Sequence, residues 1–159
     1  MKTLRAGFTL IELLVTVALF VALIALLSTA NLFGSRNKAD LNGATEDIAA
    51  LLREAQSDSM AQEQGVSWGV HLENATATTP FYALFASSTY AKSAIVGYYP
   101  LPSSVAYVTA TLASGAAINI TFSQVTGAAS VATSVGLYSR GTASLSSTIS
   151  VASSGAVSY

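Results

Sequence analysis

Gly7-Phe8-Thr9-Leu10-Ile11-Glu12-Leu13-Leu14-Val15 opens an apolar run that continues to Phe33, and Glu12 is the only formal charge between residues 8 and 33. Lys2 and Arg5 precede the run, with no acid before Gly7. About 20 apolar residues suffice to cross a bilayer, so the segment is long enough to span one with some tilt. Basic residues on the leading flank hold that end in the cytoplasm, which predicts a single-pass topology with everything after Phe33 exported. A carboxylate in such a segment costs about 2.5–3.5 kcal/mol at the helix centre. An intramembrane acid of this kind is normally paired or functional. A cleaved secretory signal and an ordinary signal anchor both accommodate the basic start and the apolar middle, but neither accounts for Glu12.

The short basic leader, Gly7 before the aromatic Phe8, Glu12 four residues further on and the long apolar helix together resemble the processing site of type IV prepilins and type II secretion pseudopilins. The resemblance implies that a prepilin peptidase cuts between Gly7 and Phe8. Phe8 then becomes the N-methylated terminus, and the apolar helix is retained. It also implies that Glu12 of one subunit pairs with the Phe8 amine of a neighbour. In a low-dielectric setting that attraction is stronger than in water, and a buried polar pair of this kind fixes register between packed helices.

After Phe33 the helical pattern continues. Leu41, Ala44, Ile48, Leu51, Leu52 and Ala55 recur at three- and four-residue steps and mark one apolar face. Asp40, Glu46, Asp47, Arg53, Glu54 and Asp58 fall mostly elsewhere and read as solvated helix charges. Gly34 and Gly43 are weak points, because glycine costs about 1 kcal/mol relative to alanine inside a helix. A kink or melted turn is expected near Gly34, and a stop at Gly65 through a left-handed cap. Residues 8–64 then form a rod of about 85 Å at 1.5 Å per residue.

From Ser67 the period becomes two. Trp68, Val70 and Leu72 alternate with Ser67, Gly69, His71 and Glu73. Further strands are expected over 81–85, 94–99, 105–112, 117–122, 131–138, 145–151 and 156–159, separated by turn-rich stretches such as Ser139-Arg140-Gly141. One helix followed by many strands predicts an α+β fold: a long N-terminal α-helix, transmembrane in its first half, packed against an antiparallel β-sheet head. The expected organisation is a leader over 1–7, a transmembrane or filament-core helix over 8–33, its amphipathic continuation over 34–65 and a β-rich head over 66–159. The head is similar, through short motifs such as Trp68-Gly69-Val70-His71-Leu72 and Ile120-Thr121-Phe122-Ser123, to the H-type pseudopilin/FimT-like family, and the whole is pilin-like. Ala156 stands where that family often carries a basic residue.

Composition bounds the chemistry. Of 159 residues, 52% are apolar and only 9% charged, against about 25% charged in an ordinary soluble domain. The formal net charge is −1, and only Lys92 and Arg140 follow Arg53, so strong phosphate neutralisation and nucleic-acid binding are disfavoured. No cysteine is present, which removes disulfides and thiolate chemistry. His71 is the sole histidine and is expected to face outward on its strand, outside any triad or metal set. Serines are abundant, but no nucleophile elbow is read among them. Glu46 and Asp47 lack calcium-loop spacing. Asn74-Ala75-Thr76 and Asn119-Ile120-Thr121 match the glycosylation pattern, for which chance is the default. Tyr98, Tyr99, Tyr107 and Tyr138 are expected to pack on sheet faces. Should several share an exposed face, they would make a contact patch.

No catalytic, metal or cofactor site is therefore expected, and the chain reads as a non-enzyme. The resemblance implies a structural subunit, a minor pseudopilin or pilin, of a type II secretion pseudopilus or type IV pilus. Its partners would be the prepilin peptidase, other pilin or pseudopilin subunits, and an inner-membrane assembly platform with its ATPase. It would start in the inner (cytoplasmic) membrane and move to a periplasmic or extracellular filament. The alternative is a minor pilin that captures DNA for uptake.

Overall fold

The structure, a computed structural model, describes residues 9–159, and the side chains of all of these except 26–34. The chain divides into two units, Met1–Arg36 and Asn37–Tyr159. One α-helix, α1 (Leu10–Met60), contributes to both. Gly34 and Gly43 carry helical backbone, in place of the melted turn expected at the first.

In the second unit, α1 buries the face that its spacing predicts. Leu41, Ala44, Ile48, Leu51, Leu52 and Ala55 all enter the core, joined by Ala49, Thr45 and Ser59. Thr45 enters this apolar stripe because its hydroxyl donates to the Leu41 carbonyl one turn back, at 2.8 Å. The helix ends earlier than expected. Gln62 takes a left-handed backbone conformation (φ 54°), followed by Gln64 (φ 55°) and Gly65 (φ 69°), so a single 3-10 turn over Glu63–Gly65 separates helix from sheet. The stop is made at Gln62, ahead of the glycine.

Eight strands follow, all paired antiparallel: β1 (Trp68–Glu73), β2 (Phe81–Ala86), β3 (Ile95–Pro100), β4 (Val105–Tyr107), β5 (Ala117–Thr121), β6 (Thr133–Ser139), β7 (Thr142–Val151) and β8 (Val157–Ser158). They form two four-stranded sheets, ordered β3-β2-β1-β5 and β4-β6-β7-β8, where the sequence pattern led to one. Pro100 is the last residue of β3 and Pro102 lies between β3 and β4, and a proline cannot continue a ladder as donor. The strand expected over 105–112 is cut to three residues. Thr111 and Leu112 both donate to the Val108 carbonyl, at 2.9 Å each, which closes a turn and drives Leu112 into the core.

The inward residues of both sheets and the apolar face of α1 share one core. The first sheet contributes Val70, Leu72, Tyr82, Leu84 and Ile120, and the second Val105, Tyr107, Val135, Leu137, Ile149 and Val151. These are alternate positions along each strand, as a period-two backbone requires. Arg53 was expected to be merely solvated. It is exposed but tethered: it donates to the Val157 carbonyl at 3.2 Å and its guanidinium lies 5.3 Å from the Tyr159 ring centroid.

Candidate functional site

Gly7 and Phe8, with Lys2 and Arg5, lie outside the described residues. What is described begins at Thr9, and its local chemistry explains where the helix starts. Thr9 precedes the first helical residue and accepts the Glu12 N–H on its hydroxyl at 3.3 Å and on its carbonyl at 3.1 Å. Thr9-x-x-Glu12 is thus the first half of a capping box. Glu12 sits in the first turn, where the positive end of the helix dipole favours a carboxylate by about 0.3–1 kcal/mol. Glu12 therefore has a local role in starting the helix, one that the sequence reading did not assign to it.

On both sides of Glu12 the described part of this run is uncovered. Leu10, Ile11, Leu13, Leu14, Val15, Val17, Leu19, Phe20, Val21, Leu23 and Ile24 are 50–83% exposed in the isolated chain, on every side of the helix. Covering large apolar side chains is worth about 1.5–3 kcal/mol each when burial is complete. A helix apolar all round is one that another apolar phase or other helices surround. Among the described residues, no helix is long and apolar enough to cross a membrane. The described side chains of this run stop at Ala25, and part of the segment expected over 8–33 lies beyond them.

The head holds no cluster of acids and histidine suited to a metal among the described residues. His71 corrects the sequence reading. Its register places it with Ala83 and Asn119, on the sheet face opposite Leu72 and Tyr82, so the expected alternation holds. Yet it is only 3% exposed, because Tyr90 stacks on it at 3.6 Å between centroids and 2° between planes. Its Nδ1 lies 2.5 Å from Asn119 Oδ1 and its Nε2 lies 3.1 Å from Glu73 Oε2. A neutral imidazole carries one N–H, so both contacts are filled at once only by the imidazolium or by an Asn119 amide turned to donate. Burial first, then Glu73 and Tyr98, raise the Tyr90 hydroxyl above its ordinary range. His71 is a packed and bonded residue of the sheet.

Gly65-Val66-Ser67-Trp68-Gly69 does carry Gly-x-Ser-x-Gly spacing, which the sequence reading passed over. Its context is the reverse of a nucleophile elbow, since it leads from a helical turn into a strand. Of the two glycosylation patterns, Asn74 is 9% exposed and its amide donates to the Leu112 carbonyl at 2.9 Å. Asn119 is exposed but engaged with His71. Tyr107 is buried and its hydroxyl donates to the Phe81 carbonyl at 3.2 Å, whereas Tyr98 and Tyr99 are exposed on β3. Lys92 and Arg140 line two neighbouring clefts that share Ala77 and Thr78.

Residues 2–28 match the prokaryotic N-terminal methylation motif. No curated protein and no solved structure matches the chain. The motif is that of a membrane-anchored precursor that a prepilin peptidase processes and that assembles with other pilin subunits, and it supports the type IV pilin and pseudopilin class.

Proposed function

We propose that this chain is a filament subunit, a minor pseudopilin of the H type, whose work is assembly and not catalysis. The leader, 1–7, is removed between Gly7 and Phe8, and Phe8 is N-methylated. The helix over 8–33 first anchors the subunit in the inner membrane, with its basic start in the cytoplasm, and then enters the filament core. Residues 34–65 continue it, and 66–159 form the head. Glu12 of one subunit pairs with the new Phe8 amine of its neighbour and sets their axial register. An inner-membrane platform and its ATPase drive the transfer into a periplasmic pseudopilus, or into an extracellular pilus.

The observation that supports this reading is the continuity of the methylation motif over 2–28 with a helix whose apolar side chains, Leu10 to Ile24, are left exposed among the described residues. A secretory signal would be discarded with its apolar segment. Here such a segment is the start of a 51-residue helix whose far part builds the head's core, which fits a segment that is retained. The test is co-expression with a prepilin peptidase, followed by mass spectrometry of the N-terminus. The expected product begins at Phe8 and carries one methyl group, and Gly7→Val blocks its formation. A product that begins at Met1 or beyond Ala30, or processing unaffected by Gly7→Val, sinks the proposal. The DNA-capturing alternative requires several cations gathered on the head, and Lys92 and Arg140 are the only ones after Arg53, which gives it little support.

A further inference from the structure

We infer that the head carries a binding cleft for a neutral sugar ring, built on the outer face of the first sheet. The cleft encloses about 530 Å³, within the range of roughly 300–1,000 Å³ usual for small-ligand sites. All of its lining residues belong to the head, and the inference is independent of the filament reading. Its lining includes Glu73, Thr76, Phe81, Tyr90, Lys92 and Tyr98.

The aromatic part of the cleft is rigidly held. Phe81 lies 4.7 Å from Tyr98 between centroids, tilted by 33°. Tyr90 is clamped by its stack on His71 and by an edge contact to Phe85 at 5.4 Å. Tyr98 projects from a paired strand and stays 52% exposed, so its ring offers a flat, amphipathic surface at little cost in side-chain freedom.

The polar part selects the class of ligand. Glu73 supplies a carboxylate whose Oε2 is oriented by His71 at 3.1 Å, and Lys92 supplies an ammonium. Among the described residues, Lys92 makes no ion pair. The two charges are opposite, so an anion meets Glu73 and a cation meets Lys92. A neutral ring bearing several hydroxyls suits both: its O–H groups donate to the carboxylate and accept from the ammonium, which donates only. The Thr76 hydroxyl on the rim donates or accepts. The C–H face of such a ring lies on Tyr98. His71 touches no ligand in this arrangement and acts as a positioning residue for Tyr90 and Glu73.

The test uses the full chain in a polyoxyethylene detergent, which has no sugar head group to compete. Cellobiose, maltose, lactose and N,N′-diacetylchitobiose are titrated by calorimetry and by saturation-transfer NMR. At least one is expected to bind with a Kd in the millimolar range or tighter. Tyr98→Ala is expected to weaken that binding at least tenfold, and Glu73→Gln and Lys92→Ala severalfold each, with unchanged circular dichroism. Tyr98→Phe, which keeps the ring, should retain most of the affinity. Failure of all four sugars to bind overturns the inference. So does binding indifferent to Tyr98→Ala, or preferential binding of choline or of a sulfated disaccharide.

Discussion

The Ser59 hydroxyl on α1 makes two bonds to Trp68, the first residue of β1: it accepts the Trp68 N–H at 2.7 Å and donates to the Trp68 carbonyl at 3.3 Å. It is fully buried. One side chain thereby bonds both backbone groups of Trp68, whose carbonyl also accepts the Phe122 N–H at 2.9 Å, and it docks the end of the helix on that strand. Removing one partner of a buried hydrogen bond costs about 1–3 kcal/mol. Ser59→Ala is expected to lower the stability of the head by that amount in a denaturant titration. A change near zero would mean that solvent or another group takes over the Trp68 N–H.

Two glycines should respond in opposite directions. Gly155 has φ +88°, and a Cβ there would run into the Gly127 carbonyl and the Gln56 amide. That amide donates to the Gly127 carbonyl at 3.0 Å, so the crowded point is where helix, turn and sheet meet. Left-handed strain and overpacking together put the cost of Gly155→Ala at roughly 2–5 kcal/mol. Gly43 is helical, and a Cβ there meets nothing within 4 Å. Gly43→Ala should stabilise by about 0.5–1 kcal/mol through backbone entropy and helix propensity. Thermal melts of the two variants should shift to opposite sides of the parent.

Alkaline pH should unfold the head through its tyrosines. Burial first, then Asp47 and Tyr99, push the Tyr82 hydroxyl from 10.0 up to about 12. Burial, with a smaller contribution from Tyr82, raises Tyr107 as well. The folded state holds these protons more tightly than the unfolded chain does. Stability is therefore full below about pH 10 and falls as the pH climbs through about 12. Tyr107→Phe should cost about 1 kcal/mol at neutral pH, through loss of its bond to the Phe81 carbonyl. Combined with Tyr82→Phe, it should flatten the alkaline limb of a stability–pH curve. An equally steep limb in the double variant would assign the loss to other groups.

Glu12 has two candidate roles that one substitution separates. A capping box accepts glutamine in place of glutamate, whereas an ion pair with a neighbour's amine does not survive loss of charge. Glu12→Gln should therefore leave processing and helix content unchanged and reduce incorporation into filaments at least tenfold. Normal incorporation of Glu12→Gln, read by shear-and-blot of assembled fibres, would reject the register role and leave Glu12 as a helix-start residue.

The start of the chain was legible because a lone acid in an apolar run is a strong departure from the base composition, and the amphipathic face from Leu41 to Ala55 was legible because every member obeys one period. The positions of the strands followed from alternation, but their division into two sheets did not, since pairing is decided by contacts between distant residues. His71 shows the limit most clearly. Period two placed it on the outer face, and nothing local announced that Tyr90, from the connection between β2 and β3, would cover it. Arg53 is similar: its spacing marks a solvated position, while its bond to Val157 and its place over Tyr159 depend on the last strand arriving there. The helix stop was misplaced because a left-handed Gln62 breaks the usual preference for glycine.

Trp68 is the only tryptophan in the chain and is 3% exposed, with its indole N–H donating to the Glu63 carbonyl at 3.2 Å. Its fluorescence is therefore a built-in reporter of a single place, the junction where α1 hands over to the sheet. Blue-shifted emission marks that junction as closed, and a red shift marks it as open to water. Stopped-flow traces at this one wavelength band can follow the joint as it opens and closes, with no dye attached.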